Sequence, residues 1–228
     1  MSQQAIFLGS IGVISETSDL QRRAFNLAFH DMGLDWEWEG AGYYAMLRKP
    51  GGKGRVMEYA AARGEQVDGA EVHARKLHHF RALALTEGLK LRPGIHDVIT
   101  AARRADMAVG LVTTTVPETV DLLFDSLGTS LSRDAFDVVI DRSHVLVGKP
   151  APDCYRYALS TLGVDASQSF AIEDTPESQR AALRAGVACA AYPGFAAAGR
   201  SFEGDGPVLE TLTPELLDAM MPRMRLSA

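Results

Sequence analysis

After Arg92-Pro93-Gly94 the chain settles into a repeated alternation, and that alternation restricts the fold more than any other feature. Short apolar runs at Ala108–Val112, Val138–Ile140, Phe170–Ile172 and Val187–Ala191 read as buried strands. Segments of helical spacing precede them: Ile95–Arg104, Pro117–Leu127, Asp153–Leu162 and Glu177–Ala185. Strands that alternate with helices pair in parallel through right-handed crossovers. The expected class is therefore α/β, a doubly wound parallel sheet with a Rossmannoid core. Ala5–Leu8, bounded by glycine, reads as a first strand; Val208–Leu212 and Pro214–Met221 read as a last strand and a closing helix.

The stretch between the first strand and Arg92 has a different texture. From Asp19 to Met32 the apolar positions Leu20, Ala24, Leu27, Ala28 and Met32 follow a helical period. Tyr43–Leu47, Val56–Ala62 and Val72–Leu85 continue the helical pattern, separated by Pro50-Gly51-Gly52 and Gly64–Gly69. Residues 1–17 and 88–228 are thus expected to form the core domain. Residues 18–87 are expected to form an all-helical cap inserted after the first strand.

Composition narrows the function class. With 46% hydrophobic and 23% charged residues the chain can bury a core without staples. Its two cysteines, Cys154 and Cys189, read as buried thiols in a reducing compartment. A formal net charge of −6 argues against nucleic acid as a partner. No apolar run reaches membrane-spanning length. Ala5–Ile14 has the apolarity of a leader core, yet no Lys or Arg precedes it and Glu16-Thr17-Ser18-Asp19 follows it. The expected location is cytoplasmic.

In an open α/β sheet ligands bind beyond the carboxyl ends of the strands. Three strand ends carry chemistry here. Thr113-Thr114-Thr115 follows Val112, and hydroxyls with free backbone N–H groups suit a phosphate oxygen. Lys149, in the rigid loop Gly148-Lys149-Pro150-Ala151-Pro152, can serve as a point charge toward phosphate or carboxylate. Glu173-Asp174 follows Ile172, and a carboxylate pair suits a hard cation such as Mg²⁺.

A hydroxyl, a lysine and an acid pair, in this order on successive strand ends, resemble the haloacid dehalogenase-like (HAD) hydrolase superfamily. Further text narrows the resemblance to its CbbY-type, β-phosphoglucomutase-like capped sugar phosphatases: Glu16-Thr17, Arg22-Arg23-Ala24-Phe25-Asn26, Gly33-Leu34-Asp35-Trp36, Gly51-Gly52-Lys53 with Arg55, and Leu91-Arg92-Pro93-Gly94-Ile95. The resemblance implies Mg²⁺-dependent phosphoryl transfer from a sugar phosphate or bisphosphate. It also implies that Thr113, Thr114 and Lys149 hold phosphate and that Glu173 and Asp174 serve the metal. Glu16, Tyr43, Gly51, Gly52, Lys53, Arg55 and Lys76 would face the substrate. Gln21 stands where related enzymes often carry His.

The pattern breaks at the first strand. The family motif Asp-x-Asp-Gly falls on Gly9-Ser10-Ile11-Gly12, which puts Gly9 at the nucleophile position and Ile11 at the acid/base position. Neither side chain can attack phosphorus or carry a proton. Ser10 would point away from the side Gly9 and Ile11 face, and no neighbouring histidine activates it. Gly9–Gly12 could instead form a nest of backbone N–H groups around an anion. One metal ligand is lost with the nucleophile, so Mg²⁺ is expected to be weakly held or absent, leaving Lys149 to pair with Glu173 or Asp174. The expectation is a pseudoenzyme that binds a small phosphorylated molecule or acts through a protein partner. An active phosphatase with a non-standard route, or an interaction module without ligand, are the alternatives.

Overall fold

The computed structural model describes residues 4–9, 11–49 and 51–220. Its chain forms two compact units, Met1–Glu16 with Lys90–Ala228, and Thr17–Leu89.

The first unit opens with β1 (Ala5–Leu8) and the helical turn α1 (Ile11–Ile14). The second unit holds α2 (Ser18–Asp31), α3 (Gly40–Met46), α4 (Gly52–Arg63) and α5 (Gly69–Glu87). The first then continues through α6 (Ile95–Arg104), β2 (Ala108–Val112), α7 (Pro117–Leu127), β3 (Val138–Ile140), α8 (Asp153–Leu162), β4 (Ser169–Glu173), α9 (Pro176–Arg184), β5 (Ala188–Ala191) and α10 (Leu216–Met220).

Among the described residues the strands form one parallel sheet in the order β3-β2-β1-β4-β5. Every residue of β1, β2 and β4 is buried, as a sheet covered on both faces requires. The chain's progress across the sheet reverses beside β1, which places the ligand crevice at its carboxyl end. Leu8 pairs with Leu111 on one side and Ile172 on the other, so Gly9, Val112 and Glu173 arrive at one level. No helix among the described residues is long and apolar enough to cross a membrane.

Local differences from the sequence reading have local causes. Gly9 extends the ladder by donating its N–H to the Ile172 carbonyl at 2.9 Å, but from Ile11 the backbone turns helical. Strand alternation therefore does not reach Ile11, and Ser10 lies outside the described residues. The Gly9 amide is likewise unavailable to an anion nest. β4 runs one residue past Ile172, so Glu173 belongs to the strand. Val208 makes a single parallel bridge with Ala191, not a strand, and the closing helix starts at Leu216; Met221 lies outside the described residues.

The second unit packs α2 against α5 around an aromatic core. The Trp38 ring centroid lies 4.8 Å from those of Phe25 and Phe29. Asn26 fixes the Trp38 backbone from both sides, accepting from its N–H at 2.9 Å and donating to its carbonyl at 3.1 Å. Helix α4 begins at Gly52, four residues before the apolar pattern does. Gly51, at φ 100°, admits the chain to it, and Gly52 lies close against His73 and Phe25, where a side chain would crowd both. Lys53 and Arg55 therefore sit on the first turn of a helix, not in a turn.

Candidate active site

At the sheet's carboxyl end the sequence-selected residues come together, but they satisfy one another. The Lys149 ammonium donates to the Gly9 carbonyl, to the Val112 carbonyl at 2.8 Å and to Glu173 Oε1 at 2.6 Å. An ammonium has three protons, and these acceptors take all three. Tyr155 Oη donates to the same Glu173 oxygen at 2.5 Å, and the Tyr155 ring lies 5.3 Å from the ammonium. Glu173 is fully buried. Burial is the largest influence on its carboxyl and raises it to about 7; Lys149 opposes the rise and Asp174 adds to it. Burial, then the Glu173 charge, keep the Tyr155 phenol well above its ordinary value, so it stays a donor. Tyr155 escaped the sequence reading. Its one signal is its position on α8 immediately beyond the lysine loop.

The space over Gly9 is filled from across the sheet. A Cβ built on Gly9 would collide with the Glu173 carboxyl carbon and both its oxygens. The carboxyl of β4 has thus settled over the bare backbone of β1. Asp174 does the same one step out: its carboxylate lies against Gly12, where a Cβ would overlap it. Thr175 then caps α9, accepting from the Ser178 N–H at 3.4 Å.

The hydroxyl of Thr113 is buried and turned inward. It accepts from the Thr115 N–H at 3.1 Å and pairs with the Thr115 hydroxyl at 2.9 Å, while the Thr113 N–H donates to the Ile140 carbonyl. Thr114 stays partly exposed beside Gly148. Glu16 accepts from the Phe195 N–H at 2.8 Å. Arg92 fastens this edge by donating to the Gly12, Tyr192 and Pro193 carbonyls.

The helical unit is arranged differently. Lys76 is only 6% exposed, with its ammonium 5.2 Å from the rings of both Phe25 and Phe80. Its one hydrogen-bond acceptor among the described residues is the neutral amide oxygen of Gln21. Burial, helped by the nearby Arg55 charge, lowers the Lys76 amine to about 8. His73 is lowered as well, first by burial, then by Lys76 and Lys53. Arg55 is braced on the Met46 and Lys49 carbonyls at 3.3 and 3.0 Å, with its guanidinium 5.4 Å from the Tyr43 ring. It lines a cavity of about 560 Å³ together with Met46, Arg48, Lys49, Gly51 and Tyr59. Lys53 is exposed; Tyr43, 2% exposed, belongs to the aromatic core.

The residues at the strand ends do not fit the Mg²⁺ that the resemblance implies. Mg²⁺ keeps several waters, but it still needs one or two carboxylates with oxygens free to ligate it. Among the described residues no group of three His, Cys, Asp or Glu side chains gathers anywhere. Oε1 of Glu173 is committed to Lys149 and Tyr155. Oε2 of Glu173, buried and without a hydrogen-bond partner among the described residues, is a single acceptor and not a coordination sphere.

Comparison with known proteins agrees with this geometry's origin. The model of haloacid dehalogenase-like hydrolases matches residues 7–186. Protein CbbY of Cereibacter sphaeroides is 35% identical over 213 residues, covering 91% of this chain and 92% of its own. The plasmid-borne Protein CbbY of Cupriavidus necator is 36% identical over 211 residues, covering 88% and 82%. Among solved structures, a mutant of CbbY from Rhodobacter sphaeroides in complex with xylulose-(1,5)bisphosphate superimposes with a TM-score of 0.79 at 33% identity, over 97% of this chain and 100% of that one. CbbY from the same organism in complex with phosphate gives 0.75 at 34% identity, over 92% and 95%.

Proposed function

The chain belongs to the haloacid dehalogenase-like hydrolase family, and from that premise we propose that it binds a phosphorylated sugar without transferring the phosphoryl group. One contrast carries this reading. The lysine at the strand ends has all its protons in use and a carboxylate beside it, whereas the lysine of the helical unit has neither.

Phosphoryl transfer in this family, as the resemblance implies, needs a carboxylate nucleophile and a second acid to protonate the leaving oxygen. Gly9 and Ile11 offer neither, and no proton can move at these positions. Glu173 lies over the nucleophile position but is wholly buried and held by Lys149 and Tyr155. Removing a nucleophile alone lowers turnover by about a million-fold in a well-studied serine protease. Here the acid/base is missing too.

Binding has separate support. A buried ammonium that lacks acceptors is costly, and an anion relieves that cost. Lys76, Arg55 and the exposed Lys53 concentrate positive charge in one unit, and the cavity that Arg55 lines suits a sugar-sized molecule. The complexes of the CbbY relatives with xylulose-(1,5)bisphosphate and with phosphate supply the ligand class.

Calorimetric titration with xylulose-(1,5)bisphosphate, paired with an assay for released phosphate, tests both halves. Binding without release is the expected result. Release above the uncatalysed background, abolished by Lys76→Met, would overturn the loss of catalysis. Absence of heat at millimolar ligand would overturn the binding.

A further inference from the structure

We infer that the Lys149 ammonium has replaced a divalent cation as the resident counter-ion of this sheet. The Lys149–Glu173 pair now holds the strand ends together with no metal requirement.

The geometry is that of a filled cation site. Its three protons meet oxygens from three neighbouring strands: the Gly9 carbonyl beyond β1, the Val112 carbonyl of β2, and Glu173 Oε1 of β4. The fourth side is closed by Tyr155, whose ring faces the ammonium and whose hydroxyl completes the same carboxyl oxygen. Tyr155 is itself anchored edge-on against Phe7 of β1, with ring centroids 5.9 Å apart. The side chains of Lys149 and Glu173 are 6% and 0% exposed, so their attraction is little screened.

The buried pair is matched one to one. A larger cluster of carboxylates needs a divalent ion to relieve its repulsion; here the buried Glu173 carboxyl meets one buried ammonium, with Asp174 the second acid close enough to act on it. The absence of a side chain at Gly9 makes this possible, because Glu173 occupies the volume that a Cβ at position 9 would need. Bare backbone at position 9, an inward carboxyl at position 173 and a saturated lysine at position 149 are one coordinated arrangement. This inference concerns the stability of the sheet and stands whether or not a sugar phosphate binds elsewhere.

Thermal unfolding of the full chain is the test. Adding EDTA, or millimolar Mg²⁺, should leave Tm unchanged. Lys149→Met should lower Tm by on the order of 10 °C, because it strands a buried carboxylate. Lys149→Met with Glu173→Gln should recover most of that loss, a recovery that a lysine serving only as a ligand contact would not show. Should Lys149→Met fail to fold, recovery of folded protein in the double variant reports the same coupling. A third arm opens the metal question directly. Gly9→Asp with Glu173→Ala removes the occupant and restores an acid, so Mg²⁺ should raise its Tm, whereas Gly9→Asp alone should not respond. A wild-type Tm that falls in EDTA, an unchanged Tm in Lys149→Met, or a Mg²⁺ response in Gly9→Asp alone would each overturn the inference.

Discussion

Two lysines in this molecule have side chains hidden to a similar degree, and they live in opposite electrostatic worlds. Lys149 sits among two carbonyls, a carboxylate and a phenol. Lys76 sits between two phenylalanine rings, bonded to one neutral amide and near another cation. Burial disfavours a charge, so each ammonium must be compensated. Lys149 is compensated from within the fold, and Lys76, among the described residues, only by one neutral amide. Depth of burial is therefore a poor guide to a charged residue's role; the count of its unmet donors is a better one.

The sharpest way to break this comparison is to make one substitution at both places. Lys149→Met should destabilise the protein by about 3–5 kcal/mol in chemical denaturation, as loss of one partner from a buried pair does. Lys76→Met should not destabilise it and should abolish binding of the sugar bisphosphate. Equal losses at both sites would erase the distinction.

A pH series sharpens the Lys76 half. Its amine lies at about 8 in the folded chain against an ordinary value of 10.5. Between these values the unfolded chain holds more protons than the folded one, so stability rises with pH across that window. The gain should reach about 3 kcal/mol near pH 10.5, measured against Lys76→Met, which lacks the term. Ligand affinity should fall over the same window, because the neutral amine no longer attracts an anion. A flat difference between the two proteins would refute the unmet ammonium.

Position 9 probes the other half. Gly9→Ala should cost about 1–3 kcal/mol in urea unfolding, since its methyl group meets the Glu173 carboxyl. The loss should shrink when Glu173→Ala is added. Additivity of the two would mean that Glu173 is not the obstacle.

The smallest expected effect is a control for the helical unit. Asp68 caps α5 by accepting from the Ala70 and Glu71 N–H groups at 2.9 and 3.1 Å. Asp68→Ala should cost about 1 kcal/mol with no change in ligand affinity. A large affinity change would show that the helical unit transmits stability into binding, which would blur the contrast drawn from Lys76.

The sequence made some of this legible and hid the rest for identifiable reasons. Apolar runs alternating with helical periods disclosed the parallel sheet, because burial on both faces leaves a plain hydrophobic signature in strands such as Ala108–Val112. The strand-end rule then pointed to Thr113, Lys149, Glu173 and Asp174 without any structure. Pairing of Lys149 with an acid was also readable, since lost carboxylates leave a lysine seeking others. Which acid, and where it would lie, was not: that depends on a side-chain rotamer choosing the space over Gly9. The helical turn Ile11–Ile14 is too short to show periodicity. The early start of α4 was masked by two glycines that read as breakers. The burial of Lys76 left no mark in the sequence, because only the folded positions of Phe25 and Phe80 enclose it.

The carboxyl of Glu173 over Gly9 also limits how this chain can change. An aspartate introduced at position 9 would arrive where another side chain already lies. That substitution would be harmful unless position 173 changed with it. Position 173, in turn, cannot change freely while Lys149 depends on it. Each residue limits what the other can become. Positions 9, 149 and 173 are thereby interlocked, and the cheapest changes are those that move together.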